Sequence, residues 1–436
     1  MELRDLIVTP LVVMVVYVVA YFVRPYATDQ ETQRYFIPAL TLKIVGAIFL
    51  GVLYQFYYGG GDTFYYHTYG SRIIWEALCD DFFVGAELLL SNGDFVPGAY
   101  KYFTYITFYN DGPSFAVIRI ATVFDLLTFS AYSGTAVFFS VISFSGSWAM
   151  FIMFYRKYSH LHFQIALATL FIPTVIFWGS GILKDTIVLA ALGFSVYCID
   201  RIFILNRFKK MNVVVLLISL FLIFSIKKFI LQAFVPSAIL WVCFRYLMRI
   251  QSTLLKIMIG PFVAIVFLIV AYYSVIKVGE GDTRYSIEKL AKTAQITAYD
   301  IRYWSGRNAG SGYSLGELDG TLGSLLKLAP QAINVALFRP YLWEVKNPLM
   351  FLSAMEAFAF LLITVYIIVK KRFSIVLRSF RDPNVVFCFV FAVSFAFAVG
   401  VSTYNFGTLA RYKIPMLPFF GMALVLILNY ETRKRN

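Results

Sequence analysis

The sequence predicts an all-α, polytopic integral membrane protein, on three observations. Of its 436 residues, 60% are hydrophobic and only 14% are charged, against about 25% charged in an ordinary soluble domain. The mean hydropathy is +0.74. Apolar runs such as Val213–Ile226 and Ile257–Val275 are continuous rather than alternating. A soluble fold of this length could not hide that much apolar surface, whereas a bilayer core takes about 20 apolar residues per helical span. Backbone within the bilayer must be satisfied inside a helix or a closed barrel, and barrel strands read as alternating segments of about ten residues. Continuous runs therefore select helices.

About eleven spans follow in order, near 6–23, 40–58, 134–155, 161–180, 185–204, 212–227, 229–246, 255–276, 347–369, 384–401 and 414–430. Residues 6–23 are too long and too apolar for a signal-peptide core, and no small-residue cleavage site follows, so they form the first span. The net charge of +14 comes from short basic clusters between spans: Arg207, Lys209 and Lys210; Lys370, Lys371, Arg372, Arg378 and Arg381; Arg433, Lys434 and Arg435. That is the positive-inside pattern and not a nucleic-acid footprint. The cysteines Cys79, Cys198, Cys243 and Cys388 form no CxxC pair and read as small buried hydrophobes.

Counting back from the basic tail Glu431–Asn436 places 370–382, 245–256, 202–211 and 155–160 inside and 277–346 outside. Residues 115–131 approach span length but carry Arg119 and Asp125. The loop 24–43, with Arg24, Arg34 and Lys43, belongs inside. If 115–131 crosses, 59–113 lies inside; because acids outnumber Arg72 and Lys101 there, the charge bias favours 59–113 outside and 115–131 as a membrane-embedded or interfacial helix that does not cross. The chain thus divides into an N-terminal transmembrane module, 1–276, with amphipathic outer-face helices over 59–133; an extracytoplasmic region, 277–346; and closing transmembrane helices, 347–436. The Gly/Ser-rich stretch 305–316 lacks the context of a phosphate-cradling loop and reads as a mobile outer loop.

The most pointed local feature is Gly59-Gly60-Gly61-Asp62, at the outer end of the second span. Three glycines allow a sharp turn. Asp62 is then placed at the N-cap of a short helix running to about Cys79, with Tyr66 and Gly70 on its face. Spacing alone fits an interfacial cap as well as a catalytic acid. Six basic residues, Lys184, Lys227, Lys228, Arg339, Arg411 and Lys413, fall near outer span ends, against the positive-inside bias. They need an anionic partner: a lipid phosphate, a pyrophosphate-linked carrier, or nearby acids such as Asp185 and Glu344. Snorkelling to headgroups is the other option. His67 is open between a second acid/base group and interfacial packing. Asp80-Asp81 is open between oxygen ligands for a divalent cation and a solvated helix end. Glu356 is either a buried partner for a base or part of the site, and His160 and His162 read as loop residues.

Asp62-x3-Tyr66-x3-Gly70 resembles the Asp-x3-Tyr-x3-Ala pattern of GT-C-fold glycosyltransferases, with Gly in place of Ala. Pro173–Asp185 resembles that family's Pro-containing span closed by an outer basic-acidic pair, and Arg411–Phe419 resembles its closing Arg-Tyr-x-x-Pro-x-x-Pro segment. The layout is also similar to bacterial membrane proteins with GGDT, Ser-Gly-x-x-Lys-[Asp/Glu] and Phe-Arg-Pro-x-x-Trp-Glu segments, the last here Phe338–Glu344. One extra span precedes the Asp, and 115–131 has no obvious counterpart in the simplest members. The resemblance implies a GT-C-like fold at the bacterial inner membrane with its active site facing outward. It implies inverting transfer of a sugar from a polyprenyl-phosphate-linked donor to a glycan, lipid or protein acceptor. Asp62 is then the catalytic base, and Tyr66, His67, Lys184, Asp185, Lys227, Lys228, Arg339, Glu344 and Arg411 are substrate-binding candidates. No cofactor is implied with certainty, and a divalent cation is left open. Other classes are a polysaccharide polymerase or ligase, which holds its lipid-linked chain with outer-face arginines, a non-catalytic transporter of lipid-linked glycan, and a purely structural membrane subunit. Transporters often show inverted repeats and mid-membrane charges, and the sequence displays neither.

Overall fold

A computed structural model describes residues 2–91, 93–279, 295–296, 311–316 and 322–430. The helices of the first half are α1 (Leu3–Ala27), α2 (Gln33–Phe56), α3 (Asp62–Tyr66), α4 (Arg72–Asp80), α5 (Phe82–Leu90), α6 (Tyr100–Phe103), α7 (Gly112–Thr128), α8 (Tyr132–Tyr155), α9 (His162–Thr169), α10 (Pro173–Trp178) and α11 (Lys184–Ile199). Then follow α12 (Lys210–Lys227), α13 (Phe229–Arg249), α14 (Thr253–Gly279), α15 (Leu322–Lys327), α16 (Ala329–Phe338), α17 (Pro348–Lys370), α18 (Phe373–Ser379), α19 (Pro383–Thr403), α20 (Phe406–Tyr412) and α21 (Leu417–Leu428). Among the described residues nine helices are long and apolar enough to cross a membrane: α1, α2, α8, α11 with its continuation to Ile204, α12, α13, α14, α17 and α19. The pair α20 and α21, bent by 70°, makes a tenth if it is counted as one span.

Their outward faces carry leucines and phenylalanines that remain exposed, such as Leu6, Phe22, Phe262 and Leu268. In α14 none of the apolar stretch Thr253–Tyr273 is buried. Exposed apolar area costs about 25 cal/mol per Å² in water, and in lipid that cost vanishes. The protein is an all-α, membrane-embedded chain.

The chain forms two compact units. The first comprises Met1–Ala166, Val175–Tyr197 and Val214–Lys227. Here α2 and α1 pack against α8. Small residues let backbones meet where Gly146 of α8 faces Ala190 and Gly193 of α11. The predicted span 161–180 is broken into α9 and α10, with Leu170–Ile172 outside either helix. Pro173 is the physical reason, since it has no N–H to donate and disfavours helical backbone at Ile172.

Lys43, counted with the loop 24–43 in the sequence, is instead inside α2 and 2% exposed. Its ammonium donates to Ser143 Oγ at 3.0 Å, Val175 O at 2.9 Å and Gly179 O at 3.0 Å. The two carbonyls belong to the C-terminal end of α10, where orphan acceptors and the helix dipole favour a cation. Arg24 likewise lies within α1, so the turn between α1 and α2 holds Asp29 and Glu31 and far less positive charge than the sequence count gave it. The chain therefore does carry an ionisable side chain within a span, fixed to three neutral acceptors.

The second unit comprises Leu167–Thr174, Cys198–Val213 and Lys228–Asn436. Helix α19 is its centre, with α13, α16 and α21 packed around it. Trp241 stacks on Phe387 at 4.5 Å, and its Nε1 donates to Asn384 Oδ1 at 3.0 Å. Part of the segment expected outside, 277–346, joins this bundle. Helix α16 buries Ala332, Val335, Ala336 and Leu337, and a Cβ on Gly400 would lie 2.7 Å from the Ala332 carbonyl carbon. Of the predicted mobile loop 305–316, residues 305–310 lie outside the described residues, as does the basic tail 431–436. The remainder is docked: Tyr313 N donates to Tyr404 O at 3.0 Å, Phe406 N to Ser311 O at 2.8 Å, and Tyr313 Oη bonds Thr403 Oγ1 at 2.7 Å. Glu356, buried in α17, accepts from Thr174 N at 2.8 Å and Thr174 Oγ1 at 2.7 Å, and the buried Lys413 ammonium interacts with it electrostatically.

Candidate functional site

In the first unit, α2 ends at Phe56 and the chain reverses through Gly59, Gly60 and Gly61 at φ of 70°, 134° and 133°. Side chains rarely adopt such backbone, which is why the turn is glycine. Gly61 is the N-cap and Asp62, half-buried, is the first helical residue, one position later than the sequence spacing placed it. Tyr54 stands beside this turn, 5.3 Å from Tyr58 and 6.4 Å from Trp178 between ring centres.

The helix that Asp62 begins does not run evenly to Cys79. It passes through a wide turn at His67–Ser71, where Tyr69 leaves helical backbone at φ −104° and ψ 28°, and resumes as α4. Such turns often mark functional sites. Tyr66 is buried, its ring 5.4 Å from Phe108. Gly70 is buried beneath α7: a Cβ there would lie 2.8 Å from Tyr65 O and 2.9 Å from the Ile118 side chain. The glycine at position 70 is thus dictated by this close approach. Gly70→Ala is expected to destabilise the protein by about 1–3 kcal/mol through overpacking, read as a lowered Tm of the purified protein in detergent. An unchanged Tm would show that α7 can retreat at no cost.

His67 has no exposed surface. Its Nε2 lies 3.4 Å from Asp125 Oδ1 without a hydrogen bond between them, and that oxygen accepts from Thr135 Oγ1 at 2.5 Å. The other charge of 115–131, Arg119, donates from Nε to Leu89 O at 2.9 Å and also bonds Ser91 O, tying the end of α5. Both charges in this 17-residue helix are engaged internally, and α7 is not among the nine spans.

At the start of α11, Lys184 meets Asp111 at 3.2 Å, and Asp185 forms a buried ion pair with Lys227 at the last turn of α12. In the second unit, Arg339 grips Glu344 through Nε at 3.1 and 3.0 Å and through Nη2. Phe406, Tyr313 and Tyr341 surround its guanidinium at 5.2, 5.8 and 5.8 Å. Lys228 and Arg411 are half-buried in the same unit. Of the six basic residues placed against the charge bias, at least four have acidic partners: Lys184, Lys227, Arg339 and Lys413. Asp185 pairs with Lys227 rather than its neighbour Lys184, whereas Glu344 pairs with Arg339 within its own motif.

Asp80 and Asp81 are both occupied by the protein. Asp80 accepts from Tyr102 Oη at 2.5 Å and Lys101 Nζ at 3.3 Å, and Asp81 caps α5 through Phe83 N and Val84 N. Among the described residues no group of three or more His, Cys, Asp or Glu side chains is placed to hold a metal ion.

Burial tends to raise the Glu344 carboxyl, but the Arg339 fork and the Tyr341 N–H outweigh it and hold the group below its ordinary 4.5. Its contribution to the fold is full above that value and is lost as pH falls through the lower value of the folded state. Trp343, stacked on Tyr341 at 4.8 Å, reports on this turn. Acid titration is expected to change the fluorescence that Trp343→Phe removes only below the ordinary carboxylate range. A midpoint above pH 4.5 would contradict the pairing.

Asp111 and Tyr313 were not singled out by the sequence, and Asp125 and Lys43 entered it only as charges in the topology. Asp111 alone had a local signal: a cap residue followed by Gly and Pro at a helix start. Comparison of the chain with protein-family models, with curated proteins and with solved structures finds no match.

Proposed function

We propose that the protein is a membrane glycosyltransferase of GT-C-like architecture at the bacterial inner membrane. It moves a sugar, with inversion, from a polyprenyl-phosphate-linked donor to an acceptor on the outer face. One observation carries the reading. Asp62 stands directly past the end of a span, behind a turn only glycines form, at the first position of a helix that is not itself a span. In this reading α9 and α10 together make one broken span, which with the bent pair brings the count to eleven.

Asp62 accepts the proton of the acceptor hydroxyl as its oxygen attacks the anomeric carbon. The bond to the carrier phosphate breaks, and its electron pair leaves with the phosphate. Taken by itself, the second unit offers Arg339 as the base best arranged to bind a phosphate, with Lys228 and Arg411 as further candidates. Glu344 and three rings fix its guanidinium, while Nη1 has no hydrogen-bond partner among the described residues. An oriented fork is worth more to a growing charge than a mobile one. Lys184 and Lys227, paired with Asp111 and Asp185, support the fold around the base rather than the phosphate.

The test is transfer itself. Proteoliposomes of the full chain, given a radiolabelled polyprenyl-phosphate hexose and an oligosaccharide, are expected to label the oligosaccharide, and labelling should depend on Asp62. Movement of the donor between leaflets without product identifies a transporter and overturns the reading.

A further inference from the structure

The first unit contains a cavity of about 730 Å³ within 93–111, the segment between α5 and α7. That lies inside the roughly 300–1,000 Å³ of small-molecule sites. Its apolar wall is aromatic: the Phe103 and Tyr109 rings stack at 5.2 Å, and Phe95 meets Phe103 edge-on at 5.9 Å. Its polar lining includes Thr107, Asn110 and Asp111, all exposed. Gly93, at φ 86°, closes the wall without filling it. A Cβ there would lie 3.1 Å from Tyr109 O and 3.2 Å from Asn110 Oδ1.

Asp111 is held from one side only. Its Oδ2 takes Ser114 N at 3.2 Å, the Ser114 hydroxyl, and Lys184 Nζ at 3.2 Å. Its Oδ1 accepts no hydrogen bond among the described residues. The Asn110 amide is likewise unbonded among them. Burial raises the Asp111 carboxyl, but Ser114 and Lys184 outweigh it and keep the group below the usual carboxylate range, so it is ionised at neutral pH.

We infer that this cavity is the acceptor subsite, and that it takes a neutral sugar unit of a glycan chain. The inference rests on the proposed transfer and deepens it. Flat rings offer the apolar face a sugar ring needs. A fixed carboxylate oxygen beside an amide offers acceptors and a donor for adjacent hydroxyls. An anionic ligand would meet the Asp111 charge, whose counter-ion Lys184 is already engaged. An acyl chain would bury the amide and carboxylate unpaired, which is costly.

The test is binding to the purified full chain in detergent by saturation-transfer NMR and calorimetry. The probes are maltotriose, cellotriose and N,N′,N″-triacetylchitotriose. At least one is expected to bind. Asp111→Asn, which retains a competent helix cap, is expected to weaken binding roughly ten- to a hundredfold through loss of a charge-assisted bond. Phe103→Leu should also weaken it, and both variants should keep the wild-type Tm. Failure of all three probes to bind overturns the inference, as does binding that neither variant changes. Because binding needs no donor, a bound trisaccharide without transfer sinks the transferase reading alone, whereas transfer with an unoccupied cavity sinks this subsite alone.

Discussion

Asp185→Leu is expected to destabilise the protein by about 3–5 kcal/mol, and adding Lys227→Met to recover most of that loss. The two side chains are 0% and 8% exposed and form an ion pair. Asp185 lies in the first turn of α11 and Lys227 in the last turn of α12. Each charge thus sits at the helix end whose dipole favours it. Removing the carboxylate alone takes from a buried ammonium its acidic partner. Removing both leaves two apolar side chains of similar volume, commonly neutral for stability. A double-mutant cycle on thermal unfolding in detergent measures the coupling directly. A double variant as unstable as the single one would mean that the pair is not what holds α11 to α12. A well-folded Asp185→Leu that has lost transfer would return Lys227 to the substrate, as the sequence placed it.

That pair also marks where sequence reasoning stopped. The length of an apolar run is set by bilayer thickness, so α1, α8, α12, α13, α17 and α19 could be read within a few residues of their ends, whereas α2 begins at Gln33, well before the expected start at 40. Residues 161–180 could not, because hydropathy registers composition and is blind to a backbone broken at Pro173. Charge was tallied by position along the chain. Lys43 was therefore assigned to a loop, although it reaches carbonyls of Val175 and Gly179 more than 130 residues away. The Arg339–Glu344 fork was open to sequence because its partners are five residues apart. The Lys227–Asp185 pair was not, since the adjacent Lys184 was the nearer choice. Gly and Ser made 305–316 look mobile, but 311–316 is anchored by the Tyr313 hydroxyl on α19 and by bonds of Ser311 and Tyr313 to residues 404–406, distant partners that composition does not register. The glycine turn before Asp62 was readable in full, because positive φ is a demand that only glycine meets at three successive positions.

Asp62→Asn is expected to lower sugar transfer by about 10²–10⁴-fold while leaving the fold intact. The substitution keeps the shape of the side chain and removes its charge and its ability to take a proton. Helix capping does not confound the result, since Gly61 occupies the N-cap and provides no side-chain bond there. The residue is half-buried at the edge of a turn, so stability should change by no more than about 0.5 kcal/mol. Three measurements on one preparation then separate the roles. Transfer should fall, while Tm and trisaccharide binding should stay at wild-type values. A structural role for Asp62 would lower Tm together with transfer, and an acceptor-holding role would lower trisaccharide binding with it. Asp62→Glu should regain part of the rate, because a longer carboxylate can still reach the hydroxyl proton at a worse angle. Substantial transfer by Asp62→Asn would sink the assignment, and the polymerase or ligase reading, which needs arginines but no acid at this turn, would then account better for the chain.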